Sequence, residues 1–142
     1  MKYFIRKWHK FINEQKDSNN IVKIVLLQGE KILCLISDYE PYINEIDLPG
    51  GHIHYNEDPG EGLRREVREE TGLIINNFDK LNFKHGNIMF FWGNMPETEK
   101  IQISDEHSAY YFLTLDEIMK SGNKISDKFL EAIKEALEIA KN

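Results

Sequence analysis

The sequence predicts one domain of the α+β class with mixed α/β layers. Strand-like and helix-like segments are interspersed, the strands follow one another through hairpin-like links, and 142 residues suffice for one real core but not for two. That order argues against a doubly wound nucleotide fold. Residues 1–142 are expected to form a single domain, with residues 1–20 as an N-terminal extension packed on it.

Phe4, Trp8, Phe11 and Ile12 recur at helical spacing between Lys and Arg, so residues 1–16 read as a short helix lying on the domain. Asp17-Ser18-Asn19-Asn20 reads as a turn. The apolar runs Ile21–Leu27 and Lys31–Ile36, joined across Gln28-Gly29-Glu30, read as a β-hairpin. Ile46-Asp47-Leu48 is a further extended piece that ends at Pro49, which cannot donate to a ladder. A helix follows over 58–71, and Gly72-Leu73-Ile74-Ile75 reads as the restart of a strand. Leu81-Asn82-Phe83 and Ile88–Trp92 form an antiparallel pair turning at His85-Gly86-Asn87. Ala109–Leu113 is another strand, and Thr114 caps a short helix, Leu115–Lys120. Ser126 or Asp127 starts the last helix, whose apolar stripe is Phe129, Leu130, Ile133, Ala136, Leu137 and Ala140.

Composition narrows the function. Apolar residues make up 41% and charged residues 30%, an ordinary globular balance. A net charge of −6 disfavours a whole-surface footprint for nucleic acid, and an acidic protein that handles phosphates needs a cation to mediate the contact. Cys34 is the only cysteine, which excludes an internal disulfide and a thiolate zinc cluster and suits a reducing cytosol. It lies in an apolar run and reads as a buried structural thiol. No stretch is long and apolar enough for a membrane span, and no secretory signal is seen, so the expected location is cytoplasmic.

The chemistry concentrates between Gly50 and Leu73. Asp58 suits the N-cap of a helix, Pro59 its first position, Glu61 the third position of a capping box, and Gly72 the left-handed stop. At about 100° per residue, Glu66, Glu69 and Glu70 share one arc, with Leu63 and Val67 on an apolar flank and Arg64 and Arg68 on the far side. Three carboxylates in the last turns of a helix repel one another and oppose the helix dipole. A divalent cation relieves this, and hard oxygen ligands favour Mg²⁺ or Mn²⁺ over zinc.

Gly51, Glu57, Arg65, Glu66, Val67, Glu69, Glu70, Gly72 and Leu73 match Gly-x5-Glu-x7-Arg-Glu-U-x-Glu-Glu-x-Gly-U, with U aliphatic, at every constrained position. This stretch resembles the box of the Nudix hydrolase family, and the likeness extends over residues 21–140. The resemblance implies an α/β/α sandwich around a mixed sheet, and water attack on a pyrophosphate bond of a nucleoside diphosphate derivative. It implies Mg²⁺ or Mn²⁺ held by Glu66, Glu69 and Glu70 with the Gly51 carbonyl, joined by Glu106 from the loop before the last strand. One glutamate, inside the box or outside it, would activate the water, with its identity left open. Arg65 would pair with Glu57 or steady Glu66, a task suited to its bidentate fork. His52 and His54 flank the box as candidates for substrate contact, and Phe90 and Trp92, on the opposite strand face to Phe91, as candidates for stacking a base. Signals typical of ADP-ribose, dinucleoside polyphosphate and coenzyme A hydrolases are missing. A MutT-like enzyme acting on a nucleoside triphosphate or similar small nucleotide remains the expectation. The alternatives are those hydrolases or a nucleotide-sugar hydrolase, an RNA 5′-end pyrophosphohydrolase, or a non-catalytic nucleotide sensor. A monomer and a homodimer are both compatible with the sequence.

Overall fold

A computed structural model describes residues 17–97 and 100–142. The helix expected over 1–16 lies outside that range. The elements are β1 (Asp17–Gln28), β2 (Lys31–Ser37), β3 (Ile46–Asp47), β4 (Gly50–His54), α1 (Pro59–Thr71), β5 (Asp79–His85), β6 (Ile88–Asn94), β7 (His107–Leu113), α2 (Leu115–Lys120) and α3 (Asp127–Ala140). One mixed sheet of seven strands runs in the order β3-β2-β1-β6-β5, with β4 added on β1 and β7 on β2. Among the strands of the described residues only β1 and β6 run parallel, pairing Ile21–Leu27 with Ile88–Asn94.

Alternation along β1 sorts its side chains into two cores. Val22, Ile24 and Leu26 pack with Leu63 and Val67 of α1, while Val25 and Leu27 pack with Ile133 and Ala136 of α3. Both faces are covered, which explains the near-continuous apolar run. The result is a mixed α/β sandwich, as the sequence predicts.

The hairpin between β1 and β2 turns at Gly29, which takes the left-handed conformation, and holds for only two pairs, Leu27 with Ile32 and Gln28 with Lys31. Beyond them the strands part: β1 pairs with β4, and β2 pairs with β3. Pro49 sits in the resulting wedge, where its carbonyl accepts the Ile24 N–H at 2.9 Å. This split brings the glycine pair 50–51 beside the middle of the sheet.

Four segments depart from the sequence reading. Residues 17–20 belong to β1, where a register shift lets Asp17 reach His54. Gly50–His54 is a strand; two glycines carry no strand preference, so only the long-range ladder to β1 creates it. The segment 72–75 alternates in burial but joins no ladder, and the Ile75 carbonyl instead accepts the Arg64 side chain at 3.2 Å. In α3, Ala140 is exposed and Ala132 takes the buried place, so the stripe ends one turn early. Glu135 of α3 accepts the N–H groups of Asn82 (3.1 Å) and Phe83 (2.9 Å), where pairing of β5 with β6 is interrupted.

Candidate active site

The helix that carries the glutamates is fixed at both ends. The Asp58 carboxylate accepts the Glu61 N–H at 3.2 Å, Pro59 opens the helix, and Gly72 closes it at φ 75° with its N–H on the Arg68 carbonyl. Such an N-cap is worth about 1 kcal/mol. The expected capping box is only half formed, because the Glu61 carboxylate turns outward to Arg64. Leu63 and Val67 are fully buried and dock the helix on the sheet, worth about 1.5–3 kcal/mol each.

That docking grades the exposure of the three glutamates. Glu70 is buried, Glu66 is half-buried and Glu69 is exposed. Arg65 lies among them. Its Nη1 donates to Glu66 at 3.0 Å and reaches Glu69 at 3.4 Å, while Nε and Nη2 each donate to Glu57 at 3.0 Å and Nη2 also to the His52 carbonyl at 3.0 Å. So Arg65 does both tasks open to it in the sequence, and it offsets part of the crowding among the carboxylates. Its hydrogen bonds, aided by the His54 N–H, hold the Glu57 carboxyl below the usual range.

Across from the helix, a Cβ added at Gly51 would lie 2.5 Å from Glu66 Oε2, so the glycine leaves the space in which that carboxylate meets the backbone. The Gly50 N–H donates to Glu70 Oε1 at 3.2 Å. These are hard oxygen donors against a bare backbone, chemistry that fits Mg²⁺ or Mn²⁺.

Behind Glu70 stands a buried cluster that the sequence did not reveal. Lys23 Nζ donates to Asp47 Oδ1 at 2.9 Å and to the Leu48 carbonyl at 3.0 Å. His107 Nε2 is 3.1 Å from Asp47 Oδ2 and 3.8 Å from Glu70 Oε2. Burial opposes the charge on Asp47, but Lys23 and His107 outweigh it and hold its pKa at about 2. For Lys23, too, burial is outweighed by Asp47 and Glu70, and its pKa rises above the ordinary lysine value. Asp47, Glu70 and His107 bring one ligand atom each within 4.8 Å of one another, a set capable of holding a divalent cation. A charged residue inside each of two apolar runs, Lys23 and Asp47, is the signal that could have flagged the pair.

A cavity of about 690 Å³ reaches Lys23, Asp47 and Glu70, whereas Glu66 and Glu69 do not line it. Gly50, Gly51, His52, Asp105 and Glu106 share its walls with Tyr39, Tyr42, Lys124, Lys128 and Phe129. Of the residues singled out in the sequence, Gly51, His52, Glu70 and Glu106 thus meet in one space. His54 is exposed and does not line it, and its N–H instead caps Glu57 at 2.8 Å. Phe90 is fully buried between Phe83 and Phe129, so it has no face to stack a base and that expectation is corrected. Trp92 opens on a separate groove with Phe78 and Asn94. Both aromatics look like a stacking strand in sequence, yet the packing of α3 and β5 decides which are reachable.

A two-sided sandwich with carboxylates, bare glycine backbone and a cavity at the split of its sheet defines a cation-assisted hydrolase of phosphoanhydrides. Residues 18–133 match the model of the NUDIX domain, and the chain belongs to the Nudix family. It is a pyrophosphohydrolase that cleaves a nucleotide pyrophosphate bond with a divalent cation, Mg²⁺ or Mn²⁺. Solved structures similar to it include a MutT/nudix family protein from Enterococcus faecalis (TM-score 0.71, 19% identity, covering 96% of this chain and 69% of that one). Also similar are the NUDIX domain of Shewanella oneidensis NrtR, complexed with ADP ribose (0.69, 18%, 89% and 92%), and a C. elegans Ap4A hydrolase (0.67, 16%, 86% and 97%). At such identities these likenesses concern the fold. No curated protein sequence matches the chain. Among the described residues, no helix is long and apolar enough to cross a membrane.

Proposed function

We propose that the substrate is a nucleoside triphosphate or a similarly small nucleotide. The observation that carries this reading is the single cavity in which Gly51, Glu70 and Glu106 share walls with Tyr39, Tyr42 and Phe129. Its volume, about 690 Å³, suits one mononucleotide-sized ligand rather than two. The phosphates belong at the glycine and glutamate part, and the base among the aromatic rings.

In this reading Glu66, Glu69, Glu70, Glu106 and the Gly51 carbonyl hold the Mg²⁺ or Mn²⁺. The cation, when bound, neutralises phosphate charge and lowers the pKa of a coordinated water. The chain's own groups do the positioning. Arg65 and Glu57 lock the strand β4 to the helix, so that Gly51 and Glu66 keep their separation. Gly50 orients the Glu70 carboxylate through its N–H, and His52 lines the phosphate part. The expected location is cytoplasmic, with a small-molecule partner and no nucleic acid.

The test is hydrolysis of nucleoside triphosphates, dinucleoside polyphosphates, ADP-ribose and triphosphorylated RNA with Mg²⁺, followed by phosphate or pyrophosphate release. Turnover confined to the mononucleotides supports the proposal. Equal behaviour of the wild type and a Glu69→Gln, Glu70→Gln variant on every substrate would sink it.

A further inference from the structure

Lys23 is out of place by the logic of its strand. It stands in the run Ile21-Val22-Lys23-Ile24-Val25, on the face of β1 that packs toward α3, and its side chain is 12% exposed. A lysine in such a position is normally removed unless paired, because desolvating an ammonium is costly. Asp47 supplies the pair, and the whole arrangement sits in the wall of the cavity beside Phe129, whose ring centroid is 5.8 Å from the ammonium.

The ammonium carries three N–H donors. Two go to Asp47 Oδ1 and the Leu48 carbonyl. One is left for a group in the cavity. Asp47 already neutralises Lys23, so the remaining N–H suits a neutral acceptor as its partner. The adjacent half-buried Phe129 ring offers a flat apolar surface, the match for an aromatic heterocycle that carries the acceptor on its edge.

We propose that Lys23 is a specificity-determining residue that donates to an oxo group on the substrate's base, selecting guanine, hypoxanthine, uracil or thymine over adenine and cytosine. The inference rests on the nucleotide reading above and narrows its substrate class. The chemistry is that of the exocyclic group. Guanine presents O6 beside N7, and thymine presents O4, all acceptors, whereas adenine and cytosine place an amino donor at the corresponding position. An amino group against a fixed ammonium leaves two donors facing each other and neither satisfied.

The experiment compares kcat/KM of the full chain with Mg²⁺ for ITP against ATP and for UTP against CTP, base pairs that differ as oxo against amino at one ring position. The expected preference for the oxo member is roughly 10- to 100-fold in each pair. Lys23→Met should bring both ratios to about one, while Lys23→Arg, which keeps a charged donor, should retain a preference. A ratio taken within one preparation does not depend on how much of the variant folds. Ratios near one in the wild type, or a preference unchanged by Lys23→Met, overturn the inference while leaving nucleotide hydrolysis intact. Failure of the wild type to hydrolyse any of the four nucleotides overturns the underlying reading and this one with it.

Discussion

Arg65 grips Glu57 with two parallel hydrogen bonds, Nε to Oε2 and Nη2 to Oε1, both at 3.0 Å. The pair closes the loop between β4 and α1, and the same guanidinium reaches Glu66 and the His52 carbonyl. Lysine cannot make these contacts together, since it carries one compact charge. Arg65→Lys is therefore expected to cost about 1–3 kcal/mol of stability and to lower kcat at least tenfold. Urea unfolding and steady-state kinetics measure the two. A variant with wild-type kcat would show that the fork does not position the glutamates.

The neighbouring glycines should fail in different ways. At Gly50, φ is 139° and a Cβ would lie 2.0 Å from the Val22 carbonyl oxygen, a backbone clash with nowhere to go. Gly50→Ala should be poorly folded. At Gly51 the clash is with the end of the Glu66 side chain at 2.5 Å, which can swing aside. Gly51→Ala should remain folded, by circular dichroism and melting, while losing activity and Mg²⁺ affinity.

Metal dependence follows from the graded glutamates. EDTA should abolish hydrolysis, and Mg²⁺ or Mn²⁺ should restore it. Glu70→Gln keeps the shape and an acceptor for the Gly50 N–H but removes a charge, so a loss of 10²-fold or more in kcat with little change in melting temperature is expected. Retained activity would remove Glu70 from the site.

Cys34 gives a pH signature unrelated to the active site. It is fully buried, and burial pushes its pKa from 9.0 up to about 12. The folded state keeps the thiol neutral while the unfolded chain ionises it near 9. Stability from this group is thus complete below pH 9 and is lost as pH rises toward 12, at up to about 1.4 kcal/mol per pH unit. Denaturant titrations of the wild type and Cys34→Ala should diverge in slope only above pH 9. The thiol should also resist aromatic disulfide reagents until the protein unfolds.

Local signals made much of this molecule legible. The helix Pro59–Thr71 announces itself by Asp58, Pro59 and Gly72, and Leu115–Lys120 by its Thr114 cap, because caps act within four residues. The box glutamates stand out because spacing alone puts them on one face. Strand β4 does not, since Gly50 and Gly51 become extended only by pairing with Lys23 and Val22. The buried cluster is hidden for the same reason: Asp47 lies 24 residues from Lys23 and 60 from His107. Conversely, Leu73-Ile74-Ile75 has the alternation of a strand, but the side chain of Arg64 claims a carbonyl that a neighbour would need. Alternation records burial, and only a partner makes a ladder.

One carboxylate far from the chemistry has a consequence for how the protein meets other chains. β5 is an outer strand, and its pairing with β6 lapses between Lys80 and Lys84, which leaves the N–H groups of Asn82 and Phe83 without a ladder. Glu135 takes both. An extended segment arriving from a second molecule therefore finds these donors already occupied, by a negative charge that belongs to the same fold. Loose strand edges are templates for uncontrolled assembly, and a helix carboxylate plugged into the gap blunts this one where it is weakest.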